Sequence, residues 1–333
     1  MGEALPTGKE GLRAVVIAGP TASGKSALAL HLAAEQDAVI INADSMQVYR
    51  DLPVLTAQPD PAALKAVPHR LYGILPLDDP ATAARWAELA LREVEAAVAA
   101  KKLPILVGGT GLYLKALLEG FAPIPEIDPE VRVRAKALLD DLGAPGLHAQ
   151  LASLDPATAA KLRPSDSQRL MRAWEVLKGT GKPLAWWQAQ PSAPPQAEQG
   201  PVAAISFVVN PARSELYAAC NDRLIAMVAK GAVAEVRAAL SLYPDADHEQ
   251  AGFKALGFKE IRRHIEVEMP LEEAVTAAQQ ATRNYAKRQG TWFRHQLRGA
   301  TLLAPDREAM KFSQSYLARL RHKIRDFLLT DPG

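Results

Sequence analysis

Short apolar runs alternate with longer helical patterns in the first third of the chain. Residues 14–18 (AVVIA) form an apolar run that ends at glycine and proline, which is typical of a strand buried on both faces of a parallel sheet. An alanine- and leucine-rich helix is predicted over residues 25–34, and a second apolar run, AVIIN, follows it directly. A third run, LPILV at 103–107, leads through a glycine-rich turn into another helical stretch. The pattern predicts three parallel strands joined by crossover helices.

From residue 124 the pattern becomes helical, with no strand predicted before residue 203. Three helical segments, beginning near residues 125, 148 and 165, are separated by proline and glycine. A proline- and glutamine-rich stretch, 188–201, has the composition of a linker, after which AAISFVVN returns to the sheet and 212–330 is predicted to be helical. We therefore predict a core domain, 11–123 with 200–330, interrupted by an inserted helical domain over 124–199.

The composition is that of a folded protein of about two domains. Of 333 residues, 48% are hydrophobic and 23% are charged, which excludes a long disordered, collagen-like or coiled-coil chain. The single cysteine, Cys220, cannot form an internal disulfide or a thiolate zinc site, so a reducing compartment is expected. The sequence has no secretory pattern and no run of eighteen uncharged apolar residues, and the expected location is the cytoplasm.

Residues 19–26, GPTASGKS, match the phosphate-binding pattern G-x-x-x-x-G-K-[ST], and we call them the P-loop. They lie between a predicted strand and a predicted helix, the context that this motif requires. The glycines let successive backbone N–H groups point toward one centre, where the helix N-terminus adds partial positive charge. Lys25 would neutralise the terminal phosphates, and the Ser26 hydroxyl could hold Mg²⁺. The motif predicts a polyphosphate site without specifying the molecule that carries the phosphates.

Aspartates that follow apolar stretches are candidates for a carboxylate beside this site. Asp44 follows AVIIN, and Asp78 and Asp79 end LYGILPLDD, which we interpret as a second candidate strand. Because open α/β sheets bind ligands beyond the carboxyl ends of their strands, Asp44 is placed to be a metal ligand or a general base. An aspartate at such a position can also cap the following turn, and the residues alone leave these interpretations open.

The basic residues are unevenly distributed along the chain, although the net charge of the whole chain is only +2. Residues 283–325 carry eleven lysines and arginines against two acidic residues, a local charge of +9 that is large enough for a nucleic acid. On a helix over 271–297, Arg283, Lys287 and Arg294 share one face. A charge run of this kind also occurs on solvated surfaces, so the partner stays open. The eleven residues are Arg283, Lys287, Arg288, Arg294, Arg298, Arg307, Lys311, Arg319, Arg321, Lys323 and Arg325.

Six segments of the chain resemble, in order and spacing, the tRNA dimethylallyltransferases. They are GPTASGKS at 19–26, INADSMQVYR at 41–50, VGGTGLYLKALLEG at 107–120, SQRLMRAWEV at 167–176, ALGFKEI at 255–261 and ATRNYAKRQGTWFR at 281–294. The resemblance covers nearly the whole chain, and its second and last segments are more specific than the P-loop. It implies an α/β fold with a P-loop kinase-like parallel sheet and flanking helices, an inserted all-helical tRNA-binding domain and a helical C-terminal part.

The resemblance also implies an activity. In that family a dimethylallyl group passes from dimethylallyl diphosphate to N6 of adenosine 37, 3′ of the anticodon, in tRNAs that read codons beginning with U, and diphosphate is released. The adenine amino group is a poor nucleophile because its lone pair is delocalised, so a carboxylate must accept a proton as the C–N bond forms. Asp44 is the candidate base and Mg²⁺ the implied cofactor. The expected partners are the anticodon stem-loop of tRNA and dimethylallyl diphosphate, with no membrane, and a monomer is expected.

The motifs and the resemblance together assign candidate roles. The catalytic candidates are Asp44, Lys25 and Thr110, and Ser26 is the metal-binding candidate. The diphosphate-binding candidates are Gly19, Pro20, Thr21, Ala22, Ser23, Gly24, Lys25, Ser26 and Arg223. The tRNA-binding candidates are Asp44, Ser45, Met46, Gln47, Thr110, Arg132, Gln168, Arg169, Leu170, Met171, Arg172, Arg283, Lys287 and Arg294.

Some positions depart from the family pattern, and two other functions fit part of the sequence. Gln58 stands where relatives commonly have lysine, and Ala219 where an arginine is frequent, so we expect altered affinity with retained chemistry. A small-molecule kinase would use the same P-loop with ATP and would turn ATP over. A non-catalytic RNA-binding protein with an inactive P-loop would tolerate Asp44→Ala.

Overall fold

A computed structural model describes residues 12–190, 202–305 and 312–330 of the chain. The strands are β1 (Leu12–Ala18), β2 (Ala38–Asn42), β3 (His69–Arg70), β4 (Leu103–Gly108), β5 (Val202–Val209) and β6 (Thr301–Leu303). The helices are α1 (Lys25–Ala34), α2 (Pro61–Ala66), α3 (Ala83–Ala99), α4 (Gly111–Glu119), α5 (Pro129–Leu154), α6 (Pro156–Ala159), α7 (Ser167–Thr180), α8 (Leu184–Gln188), α9 (Arg213–Ala229), α10 (Ala232–Leu242), α11 (Phe258–Ile265), α12 (Leu271–Gln296) and α13 (Gln314–Leu329). A 3₁₀ turn, Ala251–Lys254, precedes α11.

The described strands form one parallel sheet of six strands in the order β3-β2-β4-β1-β5-β6. The central strand, β1, is apolar along most of its length because it is buried on both faces of the sheet. Val15 and Ile17 belong to one hydrophobic cluster, whereas Val16 and Ala18 belong to the other. The predicted α/β fold class, a parallel sheet with flanking helices, is confirmed.

The two faces of the sheet are covered by different helices. Leu28 of α1 and Leu320 of α13 pack on one face, with Val15 and Ile17. Helices α3, α4 and α9–α12 contribute to the cluster on the other face, for example through Phe293 of α12. The basic residues of 283–325, with their local charge of +9, therefore do not form one patch, because α12 and α13 lie on opposite faces of the sheet. Arg307 and Lys311 of that stretch lie outside the described residues.

The described chain divides into two compact units, one within Met1–Leu118 and Pro201–Gly333 and the other within Glu119–Gly200. The second unit is helical and has its own core, which includes Leu147 and Leu151 of α5 and Leu170 and Trp174 of α7. Helix α5 is interrupted at Gly143, where φ is 66°. The predicted bounds 11–123 with 200–330 and 124–199 stay a prediction, and residues 191–201 of the predicted linker lie outside the described ranges. No helix in the described ranges combines the length and the apolar character needed to cross a membrane.

Two local predictions are wrong. The stretch LYGILPLDD is not a strand, because Leu71 and Gly73 adopt positive φ angles of 62° and 58° that interrupt an extended chain. Asp79 consequently ends no strand, and its carboxylate instead accepts a hydrogen bond from Arg85 Nη2 at 3.0 Å. Residues 212–330 are also not entirely helical, since β6 pairs with β5 at the edge of the sheet. A strand of three residues is too short to produce a recognisable period in the sequence.

The close approach of β2 and β4 depends on a glycine. Ala43 N donates to Val107 O at 2.8 Å, and a Cβ atom added at Gly108 would lie 2.0 Å from the carbonyl carbon and oxygen of Ala43. Neither backbone can move without breaking the ladder. Gly108→Ala is therefore expected to lower the free energy of unfolding by about 3 kcal/mol, measured by urea denaturation.

Gly290→Ala is the matched control for Gly108→Ala. A Cβ atom at Gly290 would meet Pro20 Cγ at an ordinary 3.7 Å, within helix α12. Because alanine is the better helix former, this variant should be as stable as the wild type or more stable by roughly 0.5–1 kcal/mol. Equal stabilities for the two variants would contradict the steric argument.

Candidate active site

The P-loop is a strained turn between β1 and α1. Gly19, Ala22 and Gly24 have φ angles of 150°, 60° and 87°, in the region that favours glycine. A Cβ atom at Gly19 would lie 2.6 Å from Val209 O, so this position requires glycine. Ser23 is fully buried, and its hydroxyl has no hydrogen-bond partner among the described residues. An unpaired donor inside a glycine-rich loop is a feature expected of an anion site.

Two cations and one carboxylate influence one another at this loop. Lys25 is buried, and its Nζ donates to Pro20 O at 3.1 Å. Burial lowers the pKa of Lys25 to about 8, opposed by the charge of Asp44 and assisted by that of Arg223. Arg223 Nη1 donates to Thr21 Oγ1 at 3.1 Å, and burial lowers the pKa of its guanidinium while Asp44 opposes that shift. The arrangement concentrates positive charge where a phosphate group would bind.

Asp44 is held at the carboxyl end of β2 by its neighbours. Asn42 Oδ1 accepts from Asp44 N at 2.8 Å, and Asn42 Nδ2 donates to Asp44 O at 3.0 Å. Asp44 Oδ1 accepts from Met46 N at 2.9 Å, so this aspartate does cap the following turn. No hydrogen bond from the described residues reaches Oδ2. One carboxylate oxygen is structural, and the other is available to accept a proton.

Thr110 joins the end of β4 to the turn that carries Asp44. Its Oγ1 accepts from Ser45 N at 2.9 Å and donates to Ser45 Oγ at 3.2 Å, while its backbone N donates to Ala43 O at 3.2 Å. Tyr285 of α12 lies near this group, since burial raises the pKa of its phenol to about 12 and the charge of Asp44 adds to that rise. The structure thus places Asp44, Thr110 and Tyr285 at one location.

Sequence reasoning missed the place of Tyr285 near Asp44 and the contacts of Gln289. Gln289 is only 5% exposed; its Oε1 accepts from Thr21 N at 2.8 Å, and its Nε2 donates to Gly109 O at 2.8 Å. Both residues belong to the segment ATRNYAKRQGTWFR. Membership of that segment was the available signal, because neither a lone tyrosine nor a lone glutamine on a helix indicates a site by its residue type.

The loop after Asp44 is held in place by hydrogen bonds from side-chain amides to backbone carbonyls. Gln47 Nε2 donates to Thr56 O at 3.0 Å and to Ala57 O at 2.8 Å. Gln58, the departure from the family's lysine, donates through Nε2 to Tyr49 O at 2.6 Å. A cavity of about 190 Å³ opens beside this loop. Its lining residues are Ser26, Ala29, Leu30, Ile40, Gln47, Ala57, Gln58, Pro59, Asp60, Ala63, His69, Tyr72 and Val107.

The basic candidates on α12 differ in their availability. Arg283 Nη1 donates to Asn221 Oδ1 and its Nη2 to Gln280 Oε1, both at 2.6 Å. Lys287 and Arg294 are exposed. The terminal nitrogens of Arg283 are therefore committed to neighbouring side chains, whereas no ion pair within the described ranges occupies those of Lys287 and Arg294.

The helical unit contains a second set of basic residues. Arg132 and Arg172 converge on Glu175, which is 3% exposed, with N–O distances of 3.5 Å and 3.4 Å. Gln168 and Arg169 lie near the start of α7, where Arg169 is exposed, and Met171 is partly buried. Leu170, predicted to contact tRNA, is fully buried in the core of the unit, so that prediction is wrong for its side chain.

Comparisons with known proteins agree with one another. The model of the IPP transferase family matches residues 47–296. The chain is 50% identical over 323 residues to a tRNA dimethylallyltransferase of Paramagnetospirillum magneticum, covering 96% of this chain and 98% of that relative. It is 51% identical to another of Rhodospirillum centenum, covering 87% of this chain and 91% of that relative.

Solved structures give the same result. A tRNA isopentenylpyrophosphate transferase from Bacillus halodurans matches with a TM-score of 0.65 and 29% identity, covering 95% of this chain and 97% of that one. A eukaryotic dimethylallyltransferase acting on tRNA matches with a TM-score of 0.79 and 26% identity, covering 96% and 80%. Because a family model spans most of the chain and relatives share half of its residues, the chain belongs to the tRNA dimethylallyltransferase family.

Proposed function

We propose that this enzyme transfers a dimethylallyl group from dimethylallyl diphosphate to N6 of adenosine 37 in tRNAs that read codons beginning with U. Membership of the family makes it a tRNA prenyltransferase. The observation that carries the finer proposal is the pairing of a strained, cationic P-loop with the available oxygen of Asp44. We further propose that it acts as a monomer in the cytoplasm, where its one cysteine, the buried Cys220, stays reduced.

The P-loop supports the leaving-group half of the reaction. As the C1–O bond of dimethylallyl diphosphate breaks, negative charge grows on the diphosphate. Lys25, Arg223 and the loop N–H groups are fixed before the reaction begins, so they stabilise this charge without reorganisation. The unpaired, buried Ser23 hydroxyl gains a partner when a phosphate oxygen binds.

Asp44 supports the nucleophile half. Adenosine N6 attacks C1 of the allylic group, and the N6 proton moves to Asp44 Oδ2 as the new C–N bond forms. The bond from Met46 N to Oδ1 fixes the direction of the carboxylate during this transfer. Charge developing on the allylic carbons is delocalised over the double bond, so a dissociative path is open to the substrate.

The cavity beside Ser26 has room for the five-carbon chain. A cavity of about 150 Å³ holds a benzene molecule in another protein, and this one measures about 190 Å³. The lining is mixed, and its apolar part, which includes Ile40 and Val107, would exclude water from the allylic centre. Exclusion of water suppresses hydrolysis of the diphosphate, the competing reaction.

Magnesium fits the donor set near the P-loop. The Ser26 hydroxyl, exposed at the start of α1, is an oxygen ligand of the kind that Mg²⁺ prefers. Diphosphate oxygens and water would supply the other ligands of the ion. The described residues contain no cluster of three or more His, Cys, Asp or Glu side chains that would hold a metal without a substrate. When bound, Mg²⁺ would neutralise charge on the leaving diphosphate.

The proposed binding of tRNA rests on exposed positive charge and on the residues that follow Asp44 in the chain. The target adenine must leave its stack for N6 to reach Asp44. Ser45, Met46 and Gln47 continue the turn after Asp44 and are proposed to surround that base. The exposed Lys287 and Arg294 of the core unit, and Gln168, Arg169, Arg132 and Arg172 of the helical unit, are proposed to contact the stem-loop.

Removing the two exposed cations of α12 should weaken RNA binding in a salt-dependent way. For Lys287→Ala with Arg294→Ala, the slope of log affinity against log salt should fall by about one per lost phosphate contact. Arg319→Ala with Lys323→Ala on α13, on the opposite face of the sheet, is the matched control and should leave the slope unchanged. Filter binding of an anticodon stem-loop at several salt concentrations measures both. Equal slopes for the two double variants would contradict this assignment.

The direct test of the proposed function supplies Mg²⁺, labelled dimethylallyl diphosphate and an anticodon stem-loop with three consecutive adenosines, with Asp44→Ala alongside. Label on N6 from the wild type alone supports both the transfer and the base. No label together with ATP turnover would indicate a small-molecule kinase. No label, no ATP turnover and intact RNA binding would indicate a non-catalytic RNA-binding protein.

A further inference from the structure

We infer that Gln289 is a positioning residue that sets the distance between the diphosphate-binding loop and the adenosine-binding side of the active site. This inference rests on the proposed function. It assigns Gln289 no contact with substrate: the side chain acts through Thr21 of the P-loop and Gly109 at the end of β4.

One amide group joins the two halves of the site. Gln289 Oε1 accepts from Thr21 N, and Nε2 donates to Gly109 O, each at 2.8 Å. The residue after Gly109 is Thr110, whose hydroxyl holds Ser45 beside Asp44. The side chain of Gln289 therefore fixes the position of the P-loop relative to Asp44 through these two hydrogen bonds.

The P-loop needs such an external restraint. Thr21 is held through its backbone N by Gln289 and through its Oγ1 by Arg223 at 3.1 Å. The next residue, Ala22, is a non-glycine residue at φ 60°, a conformation that persists only where surrounding contacts enforce it. Because Thr21 N is committed to Gln289, it is not one of the donors directed at phosphate. Gln289 consequently affects the position of the loop and not its charge.

The surroundings accommodate this amide closely. A Cβ atom at Gly109 would lie 2.2 Å from Gln289 Nε2, so the absence of a side chain there makes room for the amide. Glutamine supplies a donor and an acceptor on one planar group of this length without needing to be protonated. Methionine has a similar length but can form neither of the two hydrogen bonds. An ionised glutamate can accept from Thr21 N but cannot donate to Gly109 O.

A positioning role predicts that turnover falls while substrate binding is preserved. With Gln289→Met, kcat for dimethylallyl transfer should fall about 100-fold, the cost of a displacement of about 1 Å between reacting groups. KM for each substrate should stay within about threefold, since the cationic groups and the RNA surface are unchanged.

Gln279→Met is the matched control for this change. Gln279 lies on the same helix, and its Nε2 donates to Asn221 O of α9 at 3.3 Å, so it bonds neither the P-loop nor the end of β4. Its kcat should remain within about threefold of the wild type. If both variants lose turnover equally, or if Gln289→Met loses turnover only together with a rise in KM or a loss of folded protein, the inference is overturned.

Gln289→Glu gives a second, pH-dependent readout. The introduced carboxylate, when ionised, cannot donate to Gly109 O, whereas the protonated carboxyl can. The ratio of the variant's kcat to that of the wild type should therefore rise as the pH falls through the pKa of the introduced carboxyl. Lys25, Arg223 and Asp44 also charge the site, but they act on both proteins, so the ratio isolates position 289. A ratio independent of pH overturns the inference, whereas loss of transfer by the wild type itself contradicts the proposed function instead.

Discussion

Asp44→Asn is expected to lower the rate of dimethylallyl transfer about 1,000-fold, within the range attributed to a single general base. Asparagine keeps an oxygen that accepts from Met46 N, so the turn after β2 is preserved. What it loses is the second carboxylate oxygen, which no described hydrogen bond occupies and which would take the N6 proton. Affinities for the stem-loop and for diphosphate should stay within about threefold, because the cations proposed to bind them remain.

The control for Asp44→Asn is the same change at Asp79, the other aspartate that the sequence offered as a site carboxylate. Asp79 accepts from Arg85 at the protein surface, and this hydrogen bond lowers the pKa of the Asp79 carboxyl. Asp79→Asn should leave transfer within about twofold of the wild type, as for a surface ion pair. Single-turnover transfer at saturating substrates measures both variants. Near-normal transfer by Asp44→Asn would show that another group accepts the proton.

The core of the fold could be predicted from sequence because buried parallel strands have a simple pattern. The apolar runs that become β1, β2 and β4 lack polar positions since both of their faces are covered, and glycine-rich turns end two of them. The P-loop and Asp44 follow such strands directly. Their meeting at the carboxyl edge of the sheet follows from parallel pairing alone.

Features that depend on tertiary contacts could not be predicted in this way. Strand β6 has only three residues and is extended because its backbone pairs with β5. The basic stretch 283–325 is continuous in sequence but is divided between the faces of the sheet, a separation that charge counting does not register. The role of Gln289 depends on two backbone groups more than 170 residues away, at Thr21 and Gly109. No local pattern encodes such a bridge.

Lys25→Met is expected to lower the rate of transfer about 1,000-fold, at the upper end of the cost of removing one group that stabilises developing negative charge. Burial would strengthen the attraction of the Lys25 ammonium for diphosphate, because the surroundings screen it weakly. Binding of diphosphate should weaken as well, since the charge also stabilises the bound ground state, although less than the transition state in which the leaving group gains negative charge. Lys230→Met, on an exposed lysine after α9, is the control and should retain full activity.

The same variant should gain stability, because a buried charge that serves function is costly to the folded state. The pKa of Lys25 is lowered from 10.5 to about 8, so at pH 7 it is protonated in both states and the folded state carries the penalty. Lys25→Met should therefore raise the free energy of unfolding at pH 7 by up to about 3 kcal/mol, less the lost bond to Pro20 O.

This gain should depend on pH in a defined window. Between about pH 8 and 10.5 the folded wild type releases its Lys25 proton before the unfolded chain does, so its stability rises and the advantage of the variant shrinks. Urea denaturation of both proteins at pH 7, 9 and 10.5 measures the difference. A variant that is inactive and also less stable at pH 7 would mean that Lys25 mainly supports the loop. A variant that is inactive, more stable at pH 7 and no longer so at pH 10.5 would identify Lys25 as a charge kept at this position for the diphosphate.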